Sequence, residues 1–197
     1  MTRIVVTRPV EKAGPLMARL EELGYEAVAC PLIETQPLGD DPIDVSGYDW
    51  LVVTSARGAD ELARRRAGTP GRVAAIGPGT AAALRSHGIE ADLVPRVSTQ
   101  EGLLAELPRS PGRVLFAGAE AARTLLVRRL GADFVPLYRT KALRPSSFPQ
   151  ADLVVLTSPS AARAFAALGV AIPAVSIGPQ TTAAATASGT HIVAEAK

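Results

Sequence analysis

Little in this chain could hold a metal or close a disulfide. Cysteine occurs once, at Cys30, and histidine twice, at His87 and His191. A single thiol forms no internal disulfide, and this Cys/His inventory excludes a zinc module. Aromatic residues make up 4% of the chain. Lysine is nearly absent: Lys12, Lys141 and Lys197 are the only three among 21 basic residues, and the other 18 are arginine. Arginine grips carboxylates and phosphates with a two-pronged fork, but a bias toward G+C-rich codons, also hinted at by the abundant alanine, gives the same excess without function. No apolar run approaches the ~20 residues that cross a bilayer. The first residues, Met1 to Thr7, enter a strand-like run directly, so neither a signal peptide nor a membrane partner is expected, and the expected compartment is the cytoplasm. A net charge of +2 is too balanced for a dedicated nucleic-acid binder.

What is present is enough apolar material for packed cores. Hydrophobic residues are 47% of 197, which allows one large domain or two small ones. Short β-branched runs alternate with Ala/Leu-rich stretches. Strands are expected at Ile4–Thr7, Glu26–Ala29, Trp50–Thr54, Val73–Ile76, Asp92–Val94, Val114–Ala117, Asp133–Leu137, Leu153–Thr157, Val175–Ile177 and His191–Ala194. Most are continuous apolar runs, which suits strands covered on both faces in a parallel sheet. Between them, Ala13, Leu16, Met17, Leu20 and Leu23 make one apolar helix face closed by Gly24. Ser98 and Glu101 have capping-box spacing. Ser158-Pro159 reads as an N-cap followed by proline at the first helical position. Gly88 and Gly131 mark helix ends. The alternation implies an α/β fold with a mostly parallel sheet.

The chain repeats itself. Trp50-Leu51-Val52-Val53-Thr54-Ser55 resembles Leu153-Val154-Val155-Leu156-Thr157-Ser158, offset by 103. Ile76-Gly77-Pro78-Gly79-Thr80 resembles Ile177-Gly178-Pro179-Gln180-Thr181, offset by 101. Arg3–Val6 matches Arg113–Phe116, and Gly24–Thr35 matches Gly131–Thr140 with a short deletion. Four matches in one order point to duplication. Segments 31–42 and 136–149 carry Pro31, Pro37, Gly39, Pro42, Pro136, Pro145 and Pro149, and read as extended connectors. Their matched placing suggests that the chain crosses between two domains twice. The expected domains are then 1–34 with 142–197, and 35–141; a simple pairing of consecutive halves also satisfies the repeat.

Gly77-Pro78-Gly79-Thr80-Ala81-Ala82 fits a Gly-x-Gly-x-x-Ala dinucleotide pattern. Gln180 replaces the second glycine in the repeat, and no acidic residue is clearly placed about 20 positions on. A tight strand-to-helix turn, whose N–H groups attract anions, fits both copies better. Thr54-Ser55 and Thr157-Ser158 each end a strand and begin a helix, at the carboxyl edge where open α/β sheets bind ligands. Thr7, Thr54, Thr80, Thr157 and Thr181 all fall near strand ends and suggest a polar cleft. His87 reads as a partner for a helix C-terminus, Arg64-Arg65-Arg66 as a solvated helix end, and Tyr138 as a packing residue placed where two domains would face each other.

Together these motifs, with Thr7-Arg8-Pro9, Ser98–Leu104 and Leu137-Tyr138-Arg139, resemble the uroporphyrinogen-III synthase family, collinearly over nearly the whole chain. The resemblance implies two doubly wound, flavodoxin-like parallel-sheet domains joined by a two-stranded linker. It implies a cofactor-free lyase with no metal that cyclodehydrates hydroxymethylbilane to uroporphyrinogen III. Ring D is inverted through a spirocyclic pyrrolenine, on the way to heme, siroheme or cobalamin. By the same resemblance Tyr138 is the catalytic candidate. Thr7, Arg8, Thr54, Ser55, Gly77, Thr80, Gly118, Ser158, Gly178 and Thr181 are candidates for binding substrate. Ala117 stands before Gly118 where relatives often carry a basic residue, and Arg123 is the candidate to compensate. A monomer is expected, with transient contact to the preceding pathway enzyme. A non-catalytic tetrapyrrole or polyanion sensor on the same scaffold is the alternative.

Overall fold

The computed structural model describes residues 1–196. The chain runs through β1 (Arg3–Val6), α1 (Val10–Glu22), β2 (Glu26–Ala29), β3 (Ile33–Pro37), β4 (Ile43–Asp44), β5 (Trp50–Val53), α2 (Ala56–Arg65), β6 (Arg66–Ala67) and β7 (Arg72–Ala75). It continues with α3 (Pro78–Ser86), α4 (Gln100–Glu106), β8 (Val114–Ala119), α5 (Leu125–Leu130), β9 (Asp133–Ala142) and β10 (Leu153–Leu156). The last elements are α6 (Pro159–Ala166), β11 (Ala174–Ser176), α7 (Pro179–Ala187) and β12 (Ile192–Glu195). This is an α/β fold whose two main sheets are mostly parallel. It divides into two compact units, residues 1–35 with the chain from Thr140 onward, and Gln36–Arg139.

The sheet of the first unit has the order β12-β11-β10-β1-β2, all parallel. Its middle pair is the most distant in sequence: Ile4 lies beside Leu153 and Val6 beside Val155. Val5, Val154 and Leu156 pack with Ala161, Ala162 and Phe165 of α6 and Ala185 of α7. The intervening Ile4 and Val6 are buried as well, as the period-2 alternation of a strand covered on both faces requires.

The second unit shows that logic in full. Its parallel strands run β9-β8-β5-β7, and Leu93 adds a bridge beside Ala74. Leu51 and Val53 of β5 enter one core with Ala59 and Leu62 of α2 and Leu84 of α3. Trp50 and Val52 enter another with Leu103 of α4 and Leu126 of α5. Burial at about 25 cal/mol per Å² of apolar surface on both faces accounts for a strand with no polar position.

Both connections between the units take part in one antiparallel ladder. The Leu38 N–H donates to the Leu137 carbonyl at 2.9 Å, and the Leu143 N–H donates to the Leu32 carbonyl at 2.8 Å. Between them Arg139 donates to Gln36 and Lys141 lies 3.7 Å from Glu34. The partner's number falls as the first strand's rises, so β3 and β9 run in opposite directions.

Several local expectations need correction. Ser98 does not cap α4. Thr99 does, accepting from the Gly102 N–H at 3.0 Å, while Glu101 turns to Arg123. Ser98 is held instead against Gly77, where an added Cβ would sit 2.5 Å from its Oγ; that approach is why position 77 must be glycine. The expected strand at Asp92–Val94 reduces to the single bridge at Leu93, because Asp92 spends its carboxylate on the Val73 N–H. Leu23, placed on the apolar face of α1, is 57% exposed, since the helix ends beside it at Gly24. Arg64 and Arg65 are not simply solvated. Arg64 binds Asp40, Glu61 and the Gly39 carbonyl, and Arg65 binds the Leu38 and Asp41 carbonyls, so they hold the segment that follows β3.

Candidate functional site

Strand order decides where donors gather. Read from β2, the first unit is ordered 2-1-3-4-5, with the reversal between β1 and β10. The second unit, read from β9 through β8, β5 and β7 to the Leu93 bridge, is 5-4-1-2-3 in chain order, a circular permutation of the first unit's order, with the reversal between β8 and β5. In open parallel sheets a ligand crevice forms outside the carboxyl ends at that reversal. Thr7 and Arg8 follow β1, and Ser158 follows β10 by two residues. Thr54 and Ser55 follow β5, and Gly118 lies near the end of β8. One strand further out, Gly77 and Thr80 open α3 after β7, and Gly178 and Thr181 open α7 after β11.

In the second unit four of the candidate residues form two close pairs, Tyr138 with Ser55 and Gly118 with Thr54. The Tyr138 phenol and the Ser55 hydroxyl are 3.0 Å apart. Ser55 caps α2, accepting from the Gly58 N–H at 2.9 Å. An added Cβ at Gly118 would sit 3.2 Å from Thr54 Oγ1 and 3.0 Å from the Phe116 ring, so the glycine leaves room for that hydroxyl. Tyr138 stands within the extended connector segment 136–149. It lies in β9, 8% exposed, within the same core as Leu137. Adjacent residues of a regular strand face opposite ways. Here the pairing with β8 slips between Gly118 and Ala119, so that Gly118 faces Pro136 and Ala119 faces Tyr138. Such a bulge re-aims a side chain, and Pro136, which has no N–H to give the ladder, stands beside it.

In the first unit the hydroxyl of Thr7 is used within the fold. The residue is fully buried and donates to the Val155 carbonyl at 2.9 Å. Ser158 caps α6 by accepting from the Ala161 N–H at 3.1 Å. Arg8 is half-buried and has no carboxylate partner among the described residues. Thr80 and Thr181 are buried in the first turns of α3 and α7. Arg123 is not free to replace a basic residue before Gly118. It forks onto both oxygens of Glu101 at 2.7 and 2.9 Å, and that bond holds the Glu101 carboxyl down at about 2.

The four helices that start at these edges share an electrostatic feature. α2, α3, α6 and α7 have no acidic residue in the first turn, whereas α1 has Glu11 and α4 has Glu101. In α2, α3 and α6 this leaves the positive end without an acid in the first turn, which favours anions; in α7 the Thr182 hydroxyl of the first turn donates to the Glu195 carboxylate. His87, at the other end of α3, lies 3.0 Å from Asp60 of α2 and away from these edges.

The fold and the placing of these donors define a parallel α/β protein with anion-compatible carboxyl edges. Residues 15–197 match the model of the uroporphyrinogen-III synthase HemD family, and the chain belongs to that family. It is 33% identical over 112 residues to the porphyrin biosynthesis protein HemD of Ruminiclostridium josui, covering 49% of this chain and 22% of that protein. It is 30% identical over 112 residues to a putative uroporphyrinogen-III synthase of Methanocaldococcus jannaschii, covering 53% of this chain and 47% of that protein. The chain thus spans about half the length, or less, of these curated relatives. A mutant uroporphyrinogen III synthase from the extremely thermophilic bacterium Thermus thermophilus has the same fold, with a TM-score of 0.66 at 16% identity over 100% of this chain and 93% of that one.

Proposed function

We propose that this chain is a cofactor-free uroporphyrinogen-III synthase, a lyase that converts hydroxymethylbilane to uroporphyrinogen III with loss of water and inversion of ring D. The observation that carries the reading is the buried Tyr138 phenol, 3.0 Å from Ser55 at the carboxyl end of β5, in a chain of this family. The substrate is a linear tetrapyrrole with carboxylates on every ring. Arg8 and the starts of α2, α3 and α6, which carry no acid in the first turn, suit those carboxylates. Hydroxymethylbilane sheds its hydroxyl readily and closes unaided to the wrong isomer. The enzyme's task is therefore to hold the chain so that ring D is attacked at its substituted carbon, which is catalysis by positioning.

Tyr138 assists departure of the hydroxyl. The C–O bond breaks with its electron pair on oxygen, the ring nitrogen's lone pair forms the C=N bond, and the phenol proton completes water. Later loss of a ring proton restores the phenol. Thr54, Gly118, Ser158, Thr80 and Thr181 shape and donate to the bound chain, with Gly77 and Gly178 opening the turns. We propose also that the two units are halves of a duplication, flavodoxin-like in order and crossed twice by the chain. The strand order of the second unit, a circular permutation of that of the first, supports this. The enzyme is taken to act in the cytoplasm as a monomer that receives its unstable substrate from the preceding pathway enzyme. No described helix is long and apolar enough to cross a membrane.

The test is isomer analysis with freshly made hydroxymethylbilane. The type III isomer is expected in excess over the type I isomer that forms spontaneously; type I alone ends the proposal.

A further inference from the structure

We infer that Ser55 is a positioning residue that acts through Tyr138: its hydroxyl donates to the phenol oxygen and leaves the phenol proton free for the departing group. This rests on the reading of Tyr138 given above. The bond has two possible directions, since either oxygen could donate across the 3.0 Å. The N-cap geometry chooses between them. Ser55 Oγ already accepts the Gly58 N–H at 2.9 Å, at the positive end of a helix with no acid in its first turn. An oxygen drawn on in this way is a poorer second acceptor and a better donor. The resulting chain runs from Gly58 N–H to Ser55 O–H to Tyr138 O–H to the substrate's hydroxyl. As the phenol proton moves to the leaving oxygen, the Ser55 proton stabilises the charge that appears on Tyr138.

Two further features fit this role. Gly58 is buried, and an added Cβ there would lie 3.0 Å from Ser55 Oγ and 3.8 Å from Leu137, so glycine preserves the space in which the serine hydroxyl is held. The duplicated sequence supplies an internal comparison. Ser158 makes the same cap at α6, but the segment Pro31-Leu32-Ile33-Glu34-Thr35 has Ile33 where Pro136-Leu137-Tyr138-Arg139-Thr140 has the tyrosine. Ser158 caps with no tyrosine at the matching position; Ser55 caps and orients a phenol.

The experiment joins kinetics to a spectroscopic readout. With tyrosine labelled at Cζ, Ser55→Ala shifts the Tyr138 resonance and leaves Tyr25 and Tyr48 unmoved, while Ser158→Ala shifts none of them. Ser55→Ala lowers kcat about tenfold, the scale of one hydrogen bond, with KM within about twofold of wild type. Ser55→Thr restores the rate. Ser55→Asp keeps a helix cap but has no proton to give, and does not. In a Tyr138→Phe background, Ser55→Ala costs nothing further. Additive losses in that background, or an unmoved Tyr138 resonance, overturn the inference alone. A fully active Tyr138→Phe overturns the acid role of Tyr138 and the inference together.

Discussion

The hydroxyl of Thr7 donates to the carbonyl oxygen of Val155 at 2.9 Å across 148 positions of sequence. It pins the carboxyl end of β1 to β10 at the point where the strand order of the first unit reverses. Thr7, a candidate for binding substrate by family resemblance, is in the folded chain also a cross-strand tie.

Thr7→Val should therefore lower stability by about 1 kcal/mol, the worth of a typical buried hydrogen bond. Chemical denaturation measures this, and kcat/KM should stay near wild type. A large loss of activity at unchanged stability would return Thr7 to the groups that hold substrate.

Arg8, two residues beyond β1 and without a carboxylate partner among the described residues, is the opposite case. Arg8→Ala should raise KM roughly tenfold through loss of one charge-assisted bond, with little change in the unfolding midpoint. An unchanged KM removes Arg8 from substrate binding.

Gly118→Ala places a methyl group against the Phe116 ring and the Thr54 hydroxyl. Overpacking of this kind costs about 1–3 kcal/mol. The variant should be less stable and slower, and Gly118→Ala with Thr54→Ala, which removes the hydroxyl the methyl meets, should recover part of the loss in stability. No recovery would place the strain at Phe116 alone.

The Arg123 fork holds Glu101 at about 2, below the ordinary value of 4.5. A carboxyl depressed by folding contributes stability that is present above its unfolded value and disappears as pH falls toward the folded one. The stability difference between wild type and Glu101→Gln should accordingly close between about pH 4.5 and pH 2, and should be small because both side chains face solvent. A gap that widens on acidification contradicts the pairing.

Cys30 is buried, and burial pushes its thiol up. Alkylation should be slow in the native protein and fast in denaturant, because the thiolate is the reactive form. Rapid labelling of the folded chain would show that β2 and the residues after it open readily.

Much of the fold is written locally. The runs at Ile4–Val6, Trp50–Val53 and Leu153–Leu156 are unbroken because both faces are covered, and that pattern survives in sequence. β3 does not announce itself: Glu34, Thr35 and Gln36 are polar because their ladder partner, not a core, orders them. Thr99 displaces Ser98 as a cap because Ser98 packs on Gly77, a contact across 21 positions that no local spacing encodes. The Tyr138–Ser55 pair lies 83 positions apart. Pro136 within an apolar strand is the one visible sign that the pleat breaks before the tyrosine. Tyr138 itself stands out only through family resemblance.

The arrangement of strands also sets an order of events during synthesis. The second unit is one continuous stretch, Gln36–Arg139, whose parallel strands are all made before the ribosome reaches β10. The first unit cannot complete its sheet until then, because β1 waits for a neighbour some 150 residues downstream. Until that strand arrives, one side of β1 offers unpaired N–H and C=O groups to any passing chain, the hazard that exposed strand edges carry. The contiguous unit is thus the natural first folder, and β1, though made before it, is among the last strands to find its place.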